Sequence, residues 1–276
     1  MKGVLAVVDL AALRFAISGL VMLPWFLKRG FAGLAWWQVL AIAVTAGPGF
    51  AFFAFAGFTF APASHGGVLL PGILPLWTAT LAVLLLGERF GPWRRLALAL
   101  IASGVACLGW TSLGEGGPGQ WKGDLFFMCA SFSWACYTIM ARAWKVAPLD
   151  AAAVVMVPGA LVYMPIYFLF FPSHLAEASW GELVFQGVYH GVIATIVSII
   201  AFTRAVRALG ATTTTMITAM VPATVAIAAI PLLGEYPTPL TWVGLAVVTA
   251  GMLATLRDMA APVAPPMAEP VTAGGR

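Results

Sequence analysis

The sequence predicts an all-α, polytopic membrane protein built from two inverted repeats, and three observations carry that prediction. First, 62% of the 276 residues are hydrophobic and only 9% are charged, against about 25% charged residues in soluble domains. Second, the charges leave long gaps. No Asp, Glu, Lys or Arg occurs from Gly30 to Gly87, Ala151 to Ala176, Leu183 to Thr203, Ala208 to Gly234, or Tyr236 to Leu256. Each gap holds one or two spans of roughly 20 residues, the length a bilayer core requires. Third, the chain repeats itself. Leu85-Leu86-Gly87-Glu88 with Pro92 behind it returns 147 positions later as Leu232-Leu233-Gly234-Glu235 with Pro239 behind it. Pro75 and Pro222, Gly104 and Gly251, and Ala54-Phe55 and Ala201-Phe202 keep the same offset. A shared offset through several apolar helices marks an internal duplication.

Nine spans follow in order. Leu10–Leu27 ends at Lys28-Arg29. Val39–Phe58 and His65–Leu86 fill the longest uncharged gap, the second ending at the Gly87-Glu88 corner. Leu96–Trp110 completes the first repeat, residues 1–111. The glycine-rich stretch 112–122 is read as a linker. The second repeat, 123–257, holds Leu125–Ala141, Ala152–Phe171, Val184–Ala205, Thr212–Leu233 and Leu240–Leu256. The Ala/Pro-rich tail 258–276 has no apolar periodicity and is expected to be disordered.

Nine is an odd number for a duplication. Leu125–Ala141 opens the second repeat and has no counterpart in the first. Aligning Val146–Leu149 with Val7–Leu10 at an offset of 139 puts its partner mostly ahead of Met1. The first helix is therefore expected to be missing from this chain, by truncation or by a late start.

Orientation follows from the basic residues, which sit at span ends. One side collects Lys28, Arg29, Arg89, Arg94, Arg95, Arg142, Lys145, Arg204, Arg207 and Arg257; the other has chiefly Arg14 and Lys122. Ten against two places the first group, and the C-terminus, in the cytoplasm. The Glu88 corner carries three arginines and the Glu235 loop none, so the equivalent corners face opposite sides and the repeats are inverted. The net charge of +4 forms no patch for nucleic acid. Cys107, Cys129 and Cys136 all lie in apolar segments and read as buried thiols.

The ordered set of motifs resembles the EamA-type transporters of the drug/metabolite transporter superfamily, over nearly everything from Leu10 to Leu256. It is carried by Leu13-Arg14-Phe15, Pro75, Gly87-Glu88-Arg89 and Gly104 in the first half. Gly123-Asp124, Ser133-Trp134-Ala135-Cys136-Tyr137, Gly191, Arg204-Ala205, Gly210-Ala211, Pro222 and Leu233-Gly234-Glu235 carry it in the second. The resemblance implies ten helices in two inverted five-helix repeats. It further implies export of amino acids, metabolites or toxic compounds by alternating access across a bacterial inner membrane. The departure is the first helix, which lines the family's cavity.

Candidate pocket residues come from the apolar spans. Trp134 and Tyr137, three apart, share a helix face and suit stacking on a solute. The family's cavity includes this helix. Phe55 is a weaker candidate with its counterpart Phe202, since core packing explains both. His190, some six residues into its span, and His65, which opens another, qualify as ionisable groups in a membrane; an interfacial position is the alternative for each. Pro71, Pro75 and Pro222 interrupt helices and free carbonyls, as hinges or toward a cavity. Glu88 and Glu235 read as structural or gating corners, capping the next helix or pairing across a gate. Thr212–Thr215 and Thr218 are expected to bond to their own backbone.

No Asp or Glu sits deep in a span, no metal-spaced His/Cys cluster is present, and no nucleotide loop or Ser/His/Asp arrangement occurs. The sequence therefore predicts no enzyme, cofactor or metal. Its expected partners are a small-molecule solute, the bilayer, protons as candidate coupling ion and a second copy as candidate dimer. The alternatives are a non-transporting interaction or sensor subunit, an inactive truncated transporter and, more remotely, a lipid-modifying enzyme.

Overall fold

The computed structural model describes residues 5–61, 63–115, 119–218, 220–222, 224, 227–228, 230 and 239–260, and the regular elements among them are all helical. In chain order they are α1 (Val7–Arg29), α2 (Trp36–Ala46), α3 (Pro48–Phe60), α4 (Ala63–Leu86), α5 (Pro92–Glu115), α6 (Gln120–Ala143) and α7 (Pro148–Phe170). After a short 3₁₀ turn, Leu175–Glu177, come α8 (Trp180–Gln186), a π-helical segment (Gly187–Val197), α9 (Ser198–Leu209), α10 (Ala211–Thr218) and α11 (Pro239–Ala260). Glu235 and residues 261–276, most of the expected disordered tail, lie outside the described residues. Among the described residues, six stretches are long and apolar enough to cross a membrane: Val8–Arg29, Trp36–Phe60, His65–Leu86, Gln120–Ala143, Pro148–Phe170 and Trp180–Leu209.

Local chemistry sets the ends. Proline opens α3, α5, α7 and α11, where its missing N–H costs nothing and its fixed φ suits the first turn. Asp9 stands three residues after the N-cap Ala6 and its carboxylate accepts the Ala6 N–H at 2.8 Å. The Gly87 corner has φ +66° and the turn after α9 has Gly210 at φ +87°, left-handed geometry that favours glycine.

Two spans expected to be single helices are interrupted. Val39–Phe58 is α2 and α3, broken at Gly47-Pro48, where proline cannot continue the α2 hydrogen-bond ladder. Val184–Ala205 passes through eleven π-helical residues. In addition, α5 runs on to Glu115 and α6 begins at Gln120, so much of the expected linker is helical.

The helices pair by a two-fold relation that the contacts themselves reveal. A Cβ at Gly104 of α5 would lie 2.5 Å from Val248 Cγ2 and 2.7 Å from the Gly244 carbonyl oxygen of α11. A Cβ at Gly251 would lie 2.9 Å from both the Ala97 carbonyl oxygen and Ile101 Cγ1 of α5. Adding 147 turns Ala97, Ile101 and Gly104 into Gly244, Val248 and Gly251, so each contact maps onto the other. The pair is antiparallel, and glycine brings the backbones together.

Helices α1 and α7 behave the same way at an offset of 141, not the 139 expected from sequence. Their N-caps are Ala6 and Ala147, and each carries Asp at the third helical position. Phe15 packs on Gly159, and the equivalent pair is Met156 with Ser18, whose hydroxyl is 3.1 Å from the sulfur. A Cβ on Gly19 would meet Ala160 at 2.7 Å, and these two are equivalents, which places them on the axis. At the helix ends Tyr167 donates to Asp9, while Trp25 Nε1 donates to Asp150 Oδ1 at 2.8 Å. Each helix's N-terminal aspartate thus holds the C-terminal end of its partner.

Candidate functional site

Helix α6 is the surface on which the two repeats meet. Its hydroxyls reach backbone carbonyls in the first repeat: Ser131 Oγ donates to the Leu70 carbonyl beside Pro71, and Ser133 Oγ to the Thr45 carbonyl where α2 breaks, both at 2.8 Å. Interrupted membrane helices need such donors, because lipid offers none. Gly123 and Phe127 of α6 lie against Gly57 and Ala61 of α3 and Gly66 of α4.

Toward its arginine-bearing end the same helix packs on α9 of its own repeat. Trp134 packs tilted or edge-on against Phe50, Tyr137 and Phe202 at ring-centroid separations of 5.2, 5.2 and 5.5 Å. Tyr137 is fully buried, and its hydroxyl lies 2.7 Å from Thr203 Oγ1 of α9. One further turn along, Arg142 forms an ion pair with Glu88. Thr212 Oγ1 of α10 donates to Glu88 at 3.4 Å, and Arg94 donates to Thr213 Oγ1 at 3.0 Å. At this end the Glu88–Arg142, Glu88–Thr212 and Arg94–Thr213 contacts tie the two repeats together. Toward the opposite end, no hydrogen bond or ring contact between described residues joins α3, α4 or the first turns of α6 to α8 or the π-helical segment.

The sequence candidates divide accordingly. Trp134 and Tyr137 share one aromatic cluster, joined by Phe202. Phe55 lies elsewhere, in the cluster of Phe15, Ala51, Tyr163 and Tyr167 between α1, α3 and α7, so Phe55 and Phe202 do not meet. His65 pairs with Asp124 at 2.9 Å and with Gln120 at 3.0 Å, joining the N-terminal turns of α4 and α6. His190 sits on the π-helical segment with its ring edge-on to Tyr189. Pro75 is buried within an unbroken α4, and Pro222 lies 3.8 Å from where a Cβ on Gly72 of α4 would stand. Glu88 pairs across the seam, and Glu235 lies outside the described residues. Thr214, Thr215 and Thr218 donate to their own backbone, but Thr212 and Thr213 reach across to Glu88 and Arg94.

Sequence reasoning missed Ser131, Ser133 and Thr203, whose partners come from other helices and leave no local pattern. It also treated Arg14 as an orientation marker. Arg14 stands seven residues inside α1, about 10 Å of helix, and its Nε is buried with no hydrogen-bond partner. A charged side chain at the centre of a span costs roughly 2.5–3.5 kcal/mol on insertion scales, so such a position needs an explanation. No group of three or more His, Cys, Asp or Glu suited to a metal occurs among the described residues.

A family model described as "EamA-like transporter family" matches residues 1–110 and 121–257. A solved structure titled only "Crystal structure of protein" superposes with a TM-score of 0.70 at 20% identity, covering 92% of this chain and 89% of its own. That likeness concerns the fold. No curated protein matches.

Proposed function

We propose that this chain, which belongs to the EamA-like transporter family, exports a small amphipathic solute by alternating access between two repeats inverted across a bacterial inner membrane. Its arginine-rich ends and C-terminus lie in the cytoplasm, following the bias of basic residues. The family supports a membrane transporter of the drug/metabolite type. The observation that carries the mechanism is the one-sided seam. Glu88–Arg142, Glu88–Thr212 and Arg94–Thr213 join the repeats on the cytoplasmic side, with Trp134–Phe202 and Tyr137–Thr203 bracing α6 against α9 beside them. At the other end the repeats meet through Asp9–Tyr167 and His65–Asp124, but no hydrogen bond or ring contact among the described residues ties α3 or α4 to α8 or the π-helical segment. On this reading the arrangement is a state open away from the cytoplasm, with Trp134 and Phe50 at its floor.

Solute resting on Trp134 is screened from the cytoplasm until the Glu88 corner releases Arg142 and Thr212. Transport in the other direction requires the opposite seam to close while this one parts, a rocking for which the glycine-seated pairs α5–α11 and α1–α7 are the fixed axes. The interrupted helices α2–α3 and the π-helical segment flank the path, the usual site of irregular backbone in carriers.

Counterflow in proteoliposomes tests this. Vesicles preloaded with a mixed panel of amino acids, organic acids and aromatic amines should accumulate external label, and Trp134→Ala should shift the preference among aromatic solutes. Absence of counterflow for every class, with folded protein recovered from the vesicles, overturns the transport reading. Unchanged kinetics in Trp134→Ala removes the floor assignment alone.

A further inference from the structure

The Arg14 guanidinium makes no hydrogen bond or ion pair with another described residue, and its Nε is buried. The nearest acid on its own helix, Asp9, is already held by the Ala6 N–H, the Tyr167 hydroxyl and the His174 N–H. The nearest ring, Phe15, lies 6.0 Å from the guanidinium carbon, at the limit of a cation–π contact. An ionised guanidinium in this position lacks the partner that membrane-embedded charges normally have.

The register of the neighbouring helix shows what it faces. Ile17, one turn further along α1, is seated on Gly187 and Gly191 of the π-helical segment. Arg14 therefore fronts the early turns of that segment, within Coulombic range of His190. The His190 ring has no hydrogen bond to any described residue. Its carbonyl accepts from Thr195 Oγ1 at 2.6 Å, five residues on, as the widened helix requires; π-helical turns in other proteins concentrate at functional sites. The fold does not demand an arginine here. At the equivalent position of α7, 141 residues on, stands Val155, fully buried in the core.

We propose that Arg14 and His190 together form an anion-recognition point on the pathway, binding the carboxylate of an amphipathic organic acid. The proposal rests on the transporter reading and names its solute class. Arg14 offers a planar fork that matches a carboxylate in two bonds, and the His190 imidazole adds one donor. One fixed positive charge suits a monoanion. The other basic residue expected on this side, Lys122, lies at the mouth of α6 over the Trp121 ring, 5.9 Å from its centroid. By helical rise, Arg14 lies about 10 Å from the first residue of α1 and Trp134 about 21 Å from that of α6. An acid held at Arg14 thus directs its apolar body inward, toward the aromatic floor.

The test uses the full chain in phosphatidylcholine nanodiscs, with direct binding of 3-phenylpropionate, octanoate, their primary amides and phenylphosphonate. The acids should bind at least tenfold tighter than the amides. Arg14→Gln should lose that preference, Arg14→Lys should keep part of it, and His190→Gln should weaken acid binding severalfold. Amides binding as well as acids, or acid affinity unchanged in Arg14→Gln, overturns the proposal; so does failure of both acids to bind. Tighter binding of phenylphosphonate reassigns the point to phosphate and overturns the carboxylate. Acid binding that vanishes when phosphatidylglycerol is added shows Arg14 serving lipid head groups, with the same consequence. If Arg14→Gln does not fold, the acid–amide ratio of the native chain and of His190→Gln decides. Counterflow of neutral solutes without any acid preference leaves transport standing and removes only this point.

Discussion

Replacing Gly104 by alanine places a methyl group where α5 and α11 touch, and the contact distances set the size of the effect. The new Cβ lies 2.5 Å from Val248 Cγ2, 2.7 Å from the Gly244 carbonyl oxygen and 2.9 Å from the Val248 nitrogen. Two of those three atoms are backbone, so no rotamer change clears them and α11 must retreat by about 0.7 Å to restore ordinary contact near 3.4 Å. Overpacking of this kind costs roughly 1–3 kcal/mol. Alanine's better helix propensity returns about 0.5–1 kcal/mol. The expected net loss is about 1 kcal/mol at the middle of those ranges and at most about 2.5, a factor of roughly 5–10 in the folded ratio at the middle. Gly251→Ala meets Ala97 oxygen at 2.9 Å and Ile101 nitrogen at 3.1 Å, slightly looser, so its loss should be smaller. Gly181→Ala on α8 meets nothing within 4 Å and should gain a fraction of a kcal/mol. The half-buried thiols Cys107, Cys129 and Cys136 provide the assay, since a thiol-reactive dye reports melting in detergent without added labels. The order of stability should be Gly181→Ala, native, Gly251→Ala, Gly104→Ala. A Gly104→Ala protein melting at or above the native temperature refutes the reasoning, because the seam would then have room the distances deny.

Other changes separate structural bonds from gating contacts. Tyr137→Phe leaves the Thr203 hydroxyl without its 2.7 Å partner and should cost about 1–2 kcal/mol in the same melting assay. Ser131→Ala removes a 2.8 Å donor to the Leu70 carbonyl and should cost about 1 kcal/mol, with hydrogen exchange rising around Pro71. Glu88→Gln or Arg142→Gln breaks a pair whose side chains are 18% and 35% exposed, so solvent screening holds the effect to about 1 kcal/mol or less. That is a shift of up to about fivefold in the closed population, read as faster alkylation of Cys136 in a variant with Cys107 and Cys129 replaced by serine. The exchange Glu88→Arg/Arg142→Glu should restore the native rate. An exchange variant that alkylates as fast as the single ones would show that the pair does not hold the seam.

The membrane fold was legible because hydropathy and the 147-residue echo are both one-dimensional signals. Gly104 and Gly251 stand in register in the chain and also in space, since each fits the groove its counterpart's helix provides. The offset in α1 and α7 was harder to read. The Val146–Leu149 match pointed to 139, whereas the contacts and the paired aspartates give 141. A short motif in an apolar helix fixes register poorly; two acids at the same helical position fix it well. The interruptions at Gly47 and in Gly187–Val197 were missed because hydropathy is blind to hydrogen-bond pattern, although Gly47-Pro48 is a visible breaker. Among the candidate residues, the i, i+3 spacing of Trp134 and Tyr137 showed that they share a helix face. Thr203 depends on α6, 66 residues away in the chain, and Thr212 on the Glu88 corner of the other repeat, and no spacing encodes either.

The two-fold relation also says where to look for function. Contacts on the axis are reciprocal: Gly104 with Gly251, Phe15–Gly159 with Met156–Ser18, and Asp9 with Asp150 each satisfy one packing rule twice. A duplicated fold preserves such pairs for packing reasons alone, so they carry no information about solute. Departures do. Arg14 has Val155 as its equivalent in the other repeat, and the π-helical segment corresponds to a simple break at Gly47-Pro48. A polar, loosely partnered feature in one repeat, set against a buried apolar or regular one in the other, has no structural counterpart to explain it. Both departures fall at the same interface, where α1 packs on the π-helical segment through Ile17, Gly187 and Gly191. Two independent breaks of symmetry at one place are what an asymmetric solute, charged at one end and apolar at the other, would require.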